Sequence, residues 1–246
     1  SLVFNGVEDF LDNLFECLTE VEKEVMYWLA LYRHPINIFE LKDIIEGLLG
    51  EQLVATLTHL RLRFLVEGRN TIGLPPMIRE YLSNRLIREA CQEIVDGRLL
   101  MLSRFPLLTT TAKWHVRRDQ SGIIHKKIID RLKNKLHTER RVQSRLLELL
   151  KMQSELDITF GYGSGNIVNL MAKLKFDFRR QDFSGLALKN VNFRDMDLYG
   201  TNLSGSDLSN SIFLNAFSNV LSVTFSPDGK FLAIGDTNGQ IYIWEL

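Results

Sequence analysis

Five histidines, a ladder of acidic side chains, one glycine-rich loop and two cysteines are the groups in this 246-residue sequence whose chemistry could serve catalysis or binding. His34, His59, His115, His125 and His137 match no H-E-x-x-H or other metal-ligand spacing. No G-x-S-x-G elbow marks a nucleophile, which leaves a Ser-His-Asp or Cys-His arrangement only as something the fold would have to assemble. Asp177, Asp182, Asp197 and Asp207 look like the carboxylate pairs of general acid–base catalysis. Their separation by multiples of five residues instead assigns them to equivalent corners of a repeat, where a carboxylate is expected to accept hydrogen bonds from turn amides. Residues 160–166 (FGYGSGN) precede Ile167, Leu170, Met171 and Leu174 at helical spacing, and such loops can cradle phosphate on helix amides. A P-loop also needs a Lys to reach the phosphate and a hydroxyl for magnesium, and no Gly here is followed by Lys-Ser/Thr. The expectation is a turn with Ser164 or Asn166 capping the helix. Cys17 and Cys91 lack any C-x-x-C partner and read as free, buried thiols in a reducing cytosol. No residue is assigned a catalytic, cofactor-binding or metal-binding role, and the segment is read as non-enzymatic.

The element that carries the acidic ladder has its own period. Phe178, Phe183, Leu188, Phe193, Leu198, Leu203, Leu208 and Phe213 recur every five residues, most of them preceded by Asp or Asn. Neither a helix (3.6) nor a strand (2.0) repeats in this way, so the stretch must bury its apolar side chains by stacking units. It resembles the pentapeptide-repeat family, whose units follow A-(D/N)-L-x-x. The resemblance implies a right-handed square β-solenoid with the central Leu or Phe pointing inward. The small first position is kept at Thr201, Ser206 and Ser211 but not at Phe176, Gln181, Leu186, Val191 and Met196, so an irregular first coil is expected.

Composition bounds the rest. Lys plus Arg equal Asp plus Glu at 30 each, which gives no global field favouring nucleic acid or membrane. The balance hides an asymmetry. Residues 1–60 hold eleven acids against three bases, whereas residues 113–145 hold eleven bases against three acids. No apolar run reaches the length of a membrane span, and the start has neither Met nor the basic end of a signal peptide. That start, with the abrupt end at Trp244-Glu245-Leu246, leads us to expect a piece of a longer protein located in the cytoplasm.

Along the N-terminal part, Phe10, Leu14 and Phe15 suggest a helix, and Thr19-Glu20-Val21-Glu22 a capping box. Val21, Val25, Trp28, Leu29 and Tyr32 continue as an amphipathic helix that His34-Pro35 ends. Asn37 to Glu40 repeats the capping pattern ahead of a short second helix, and Leu53, Leu57, Leu60 and Phe64 lay out a third. Residues 64–67 and 71–74 read as a two-stranded wing, after which Pro75-Pro76 opens a fourth helix with Ile78, Leu82, Leu86, Ala90 and Ile94. LTEVEKEVMYWLA (18–30), LRLRFLV (60–66) and LPPMIREYL (74–82) resemble the winged-helix module that follows the nucleotide-binding core in bacterial signalling NTPases of the NB-ARC (STAND) type. The resemblance implies a core upstream holding ADP or ATP, absent from these residues, and a repeat sensor downstream. In some members of that family a winged-helix His reaches ADP, but neither His34 nor His59 matches that motif. DNA reading by residues 51–63 is disfavoured, because Arg61 and Arg63 lie at the wrong end and the surrounding segment repels phosphate.

Residues 96–160 carry the basic run, with Ile124, Ile128, Leu132 and Leu136 every four residues on one helix face. The segment reads as a solvated helical linker, as an arm docked on the acidic module or an acidic partner, or, least favoured because only Trp114 interleaves the charges, as an RNA- or membrane-binding surface. After the five-residue ladder, residues 222–233 (SVTFSPDGKFLA) and 239–245 (GQIYIWE) alternate as strands around a Pro-Asp-Gly turn and resemble one WD-repeat unit. One unit cannot close a ring of four to eight blades, so its apolar faces need neighbours. The resulting expectation is a multidomain α plus β chain. It comprises a winged-helix module (1–95), a basic helical linker (96–160), a Gly-rich turn and helix (161–175), a pentapeptide-like solenoid (176–217) and a single, incomplete propeller blade (218–246). Its expected partners are proteins, chiefly the missing core and the remaining blades, and its expected role is to couple sensor to core, or alternatively to help bind ADP.

Overall fold

Thr19 begins the first deeply packed helix. In this computed structural model, which describes residues 2–45, 49–155, 161–213, 220–236, 239 and 241–245, helix α1 spans Leu2–Glu16 and α2 Glu20–Tyr32. The Thr19 amide donates to the Glu22 carboxylate (2.9 Å) while the Glu22 amide donates to Thr19 Oγ1 (3.2 Å), so the expected capping box is formed. Arg33, in the left-handed region at φ 64°, ends α2 ahead of Pro35.

A strand that the sequence did not announce follows. Strand β1 (Ile36–Asn37) pairs antiparallel with β2 (Thr71–Ile72), with Ile36 opposite Ile72. Between them lie α3 (Ile38–Ile44) and α4 (Gly50–Leu62). Asn37 accepts from the Phe39 amide (2.9 Å), and Glu40 supplies no reciprocal bond, so the second expected capping box is half formed. The expected hairpin contracts to one pair, Glu67 with Gly73, joined by two backbone bonds. Phe64 turns into the left-handed region at φ 58°, which removes it from the strand, and β1 takes the remaining edge of β2. Gly68 sits at φ 92°, where an added Cβ would lie 1.9 Å from the Thr71 carbonyl oxygen, so only glycine closes this turn.

Helix α5 (Pro76–Asp96) is the hub. It packs on α1, α2, α6 (Met101–Arg104), α8 (Lys126–Leu136) and α9 (Glu139–Glu155). Leu82, Leu86, Ala90 and Ile94 form its buried stripe, at the spacing read from the sequence. The basic region is not a free linker. Helix α7 (Trp114–Asp119) runs through a π-helical turn (Gln120–His125) into α8, whose Ile128, Ile129 and Leu132 are buried. Its cations reach the acidic side of the chain, Lys127 to Glu80 at 2.7 Å and Lys113 to Glu40 at 3.8 Å, and Arg104 reaches Glu24 at 2.7 Å. Of the sequence readings of this arm, docking on the N-terminal part is the one these contacts describe.

Helix α10 (Gly163–Lys173) packs on α6 and α9 and supports the five-residue ladder. Isolated parallel bridges join Asp182 to Asn202, Ala187 to Asp207 and Asn192 to Ile212, each twenty residues apart, so four units make one turn of a coil. Phe178, Phe183, Leu188 and Phe193 of the first turn are buried, whereas Leu198, Leu203 and Leu208 of the second are half-buried. The first coil, expected to be irregular, is bridged on three sides. Its bulky Leu186 and Val191 are buried, while Thr201, Ser206 and Ser211 of the second coil donate back to the carbonyls of Phe178, Phe183 and Leu188 (2.8, 2.7 and 2.6 Å). Small hydroxyl residues are needed only where a coil stacks on a coil. One hydrophobic core runs from Leu11 to Phe193 across helices and coil.

Strands β3 (Val220–Phe225), β4 (Phe231–Asp236) and β5 (Ile241–Glu245) form an antiparallel meander. Its first turn is built as read: Gly229 at φ 70° donates to the Ser226 carbonyl, and Asp228 accepts from the Lys230 amide. The Gly-rich loop's Phe160, the ladder's last position beyond Phe213, the break at Phe217 and Ser218, and Thr237 and Asn238 of the second turn lie outside the described residues. Among the described residues, no helix is long and apolar enough to cross a membrane.

Candidate functional site

The acidic ladder resolves into turn chemistry. Asp177, Asp182, Asp197 and Asp207 each accept from the backbone amide two residues on, at 3.1, 3.0, 3.0 and 2.9 Å, and Asn192 and Asn202 do the same. These are the amide contacts expected of corner residues. The Ser184 hydroxyl and amide hold the Asp182 carboxyl below its ordinary value, and Arg179 holds Asp177 down at about 2. Such groups are ionised acceptors at neutral pH. The fifth position of most units is left-handed, with Arg180, Gly185, Asn190, Gly200, Gly205 and Asn210 at φ 56–69°. That is a second five-residue signal, legible in Gly and Asn, which the sequence reading passed over.

The Gly-rich loop is not a cap, and here the expectation is corrected. Ser164 and Asn166 lie inside α10, and the residue before the helix, Tyr162, makes no side-chain cap. Asn166 is buried, accepts from the Leu107 amide (2.7 Å) and donates to the carbonyls of Leu102 and Phe105 (2.8 Å each). It completes the backbone bonding of a buried connection rather than of its own helix. Gly165 lets the coil approach: an added Cβ would lie 2.2 Å from the Lys189 carbonyl oxygen. The loop's glycines therefore serve close packing, and the helix start faces protein.

The other candidates are scattered. His34 Nε2 lies 2.9 Å from Asp119 and its ring meets His115 edge-on at 4.7 Å. His59 and His137 are exposed. Among the described residues, no three His, Cys, Asp or Glu side chains gather as a metal-holding group. Arg61 donates to the Gly68 carbonyl (2.9 Å) and Arg63 lies 3.6 Å from Glu22, so both cations of the supposed recognition helix serve this chain. Both thiols are free. Cys91 is buried, its Sγ directed at the Ile128 carbonyl, and burial pushes it up to about 11. Cys17, expected to be buried, is exposed just past the end of α1.

Two groupings emerge that the sequence did not announce. Arg85 gathers Asp12, Glu16 and Glu89, and Tyr27 donates to Glu89, beside a cavity of about 420 Å³ between α1, α2, α5 and α6. Residues scattered over more than seventy positions meet there, which no local spacing reveals. The second grouping is a cavity of about 130 Å³ between the π turn, α10 and the coil, lined by Ser121, His125, Asn169, Lys173, Asn192 and Asp195 among others. His125 is 1% exposed, and its Nε2 has no hydrogen-bond partner among the described residues. Burial, with Lys173 nearby, pushes this imidazole from 6.5 down to about 3.

Two outcomes follow. Asn166→Ala strands one amide and two carbonyls and should cost about 3 kcal/mol or more in urea unfolding, whereas Ser164→Ala, which removes no bond, should stay within about 1 kcal/mol. The unfolded chain takes a proton on His125 below pH 6.5 that the folded chain refuses until about pH 3. Stability should therefore be level above that window and fall as pH drops through it, at a slope of up to ~1.4 kcal/mol per pH unit. His125→Asn should lack this component, and identical acid profiles for the two chains would contradict the assignment.

Comparison with known proteins bears on one segment most directly. Residues 177–214 match the family model for pentapeptide repeats, in eight copies. The whole chain aligns with two uncharacterized WD repeat-containing proteins of Nostoc sp., at 29% identity over 282 residues covering 22% of one, and at 28% over 264 residues covering 17% of the other. The chain thus spans about a fifth of the length of the curated relatives it matches. No solved structure matches. The ladder is a run of pentapeptide repeats, in a chain similar throughout to parts of much longer WD repeat-containing proteins.

Proposed function

We propose that this chain is a non-catalytic regulatory segment of a cytoplasmic WD-repeat signalling NTPase, coupling a propeller sensor to a nucleotide-binding core that lies outside these residues. The observation that carries the reading is the β3–β5 sheet. Leu221, Val223 and Phe225 are 54–70% exposed, and Ile241 and Ile243 of β5 are 75% and 66% exposed. In the register Val223 stands opposite Ile234, and Ala233 opposite Ile243, so apolar groups occupy both faces. A sheet apolar on both sides is stable only between other sheets, which is how a propeller blade is placed. The similarity to WD repeat-containing proteins supports the same reading.

For the N-terminal part, support for a winged-helix module comes from the order α2, β1, α3, α4 and the 67–73 hairpin, with β1 closing on β2. Arg61 and Arg63 are engaged within the chain, and exposed Leu62 and Phe64 stand beside them, a surface suited to protein contact rather than phosphate. The mechanism is then mechanical. Ligand capture by the propeller acts through the coil, which shares one core with the helices, and alters how the winged-helix part holds the nucleotide core closed. The reading frame on both sides of these residues is expected to encode a P-loop upstream and further WD-like units downstream. An initiator Met directly before Ser1 with a stop after Leu246 would sink this reading. So would micromolar affinity for ADP in a calorimetric titration of the 246-residue chain alone, which would place nucleotide contacts here.

A further inference from the structure

Two departures from regular structure meet at the smaller cavity. The π-helical turn interrupts the path from α7 to α8 and brings Ser121 and His125 to the same wall. Single π turns are rare and gather at functional positions. On the opposite wall, Asp195 occupies the fifth position of its unit. Its counterparts from residue 180 to 210 are left-handed, and Asp195 alone is not. Among the described residues no bridge joins Asp177 to Asp197, whereas the other three sides of the coil are bridged. That side keeps one backbone bond, from the Arg180 amide to the Tyr199 carbonyl (2.9 Å), so the ladder between the coils is thinnest next to the corner that borders the cavity.

The polar groups there are unspent. Lys173 and Asp195 are exposed at the rim, and neither takes part in an ion pair or a side-chain hydrogen bond among the described residues. Two opposite charges on one cavity are thus held beyond the 4.0 Å of a salt bridge. The Ser121 hydroxyl is likewise without a partner among the described residues, and the His125 Nε2 is buried without one. An imidazole nitrogen buried unbonded is costly, a cost that a bound polar ligand would offset. Asn169, by contrast, is tied to the coil, donating to the Asn190 carbonyl and accepting from the Asn192 amide, so it is wall rather than ligand group.

We propose that this cavity binds a small zwitterion, a free α-amino acid of the size of glycine or alanine, with the carboxylate taken by Lys173 and the His125 imidazole and the ammonium by Asp195. The volume of about 130 Å³ suits it, since an apolar cavity of about 150 Å³ admits the six heavy atoms of benzene and alanine also has six. A simple anion would meet Lys173 but also the Asp195 carboxylate, and a simple cation would meet the reverse. Only a ligand bearing both charges satisfies both rims. A carboxylate seated beside His125 opposes the two effects that keep the ring neutral, so binding should be accompanied by a rise in the His125 titration. This inference is independent of the signalling reading, and its test uses no nucleotide.

The test is titration of the 246-residue chain with glycine and with L-alanine, following the His125 imidazole nitrogens by NMR. Acetate and methylammonium serve as single-charge probes. A saturable shift of His125 with glycine or alanine is expected, with little from acetate or methylammonium, and with affinity reduced about tenfold or more in Lys173→Gln and in Asp195→Asn. Both substituted residues are exposed, so the variants should keep the fold. No shift with either amino acid, an equal shift with acetate alone, or unchanged affinity in both variants would overturn the proposal.

Discussion

A coil of five-residue units leaves the backbone groups and small-position side chains of its first turn without a layer beneath them, and the rest of this structure depends on how that end is closed. Helix α10 closes it. Asn169 donates to the Asn190 carbonyl and accepts from the Asn192 amide, at 2.9 and 3.0 Å, and so stands in for the missing coil. Thr110, from the connection that Asn166 helps hold, adds bonds from its amide and hydroxyl to the Asn190 side chain. Buried amide groups left unbonded would each be costly, so these asparagines make the coil an extension of the helical core rather than an appendage. The far end has no such closure among the described residues: Leu198, Leu203 and Leu208 are half-buried, and Phe213 covers Phe193 by stacking at 4.8 Å.

The charge asymmetry finds its use in the same architecture. The acidic N-terminal part and the basic stretch lie side by side, joined by Lys127–Glu80 and Lys113–Glu40 over a buried apolar seam of α5 and α8. Exposed pairs of this kind contribute little to stability, at most about 1 kcal/mol each. The apolar seam holds the elements together, and the charges favour this pairing over others. Arg145 tightens the joint differently, donating to the carbonyls of Ile94 and Val95 at the end of α5.

What could be read from sequence was what repeats or starts locally. The inward positions from Phe178 to Phe193, the turn role of Asp182 and Asp207, the Thr19 box and the buried stripe of α5 all follow from spacing or from one residue's chemistry. Strand β1 was missed because two residues carry no period, and its existence depends on β2 lying within reach. Asn166 was misassigned for a related reason. An Asn near a helix start reads as a cap, and only the fold shows that residues 102–107 run past it. The π turn left no trace either, since Ile124 and Ile128 keep an α-helical interval across it. The regularity of the first coil was obscured because its bulky Leu186 and Val191 answer to the core rather than to a neighbouring coil.

The central claim is that helices and coil form one cooperative unit closed at Asn169 and Asn190. Native-state hydrogen exchange tests it most directly, by comparing the amides of Phe183, Asn190 and Phe193 with those in the middle of α5 and α10. The account expects all of them to exchange with the same, global opening free energy, and Asn169→Ala to lower that value for both sets together. Coil amides that open at markedly lower free energy than α5, with α5 unaffected by Asn169→Ala, would show the repeats to be a separately folding attachment and would contradict it.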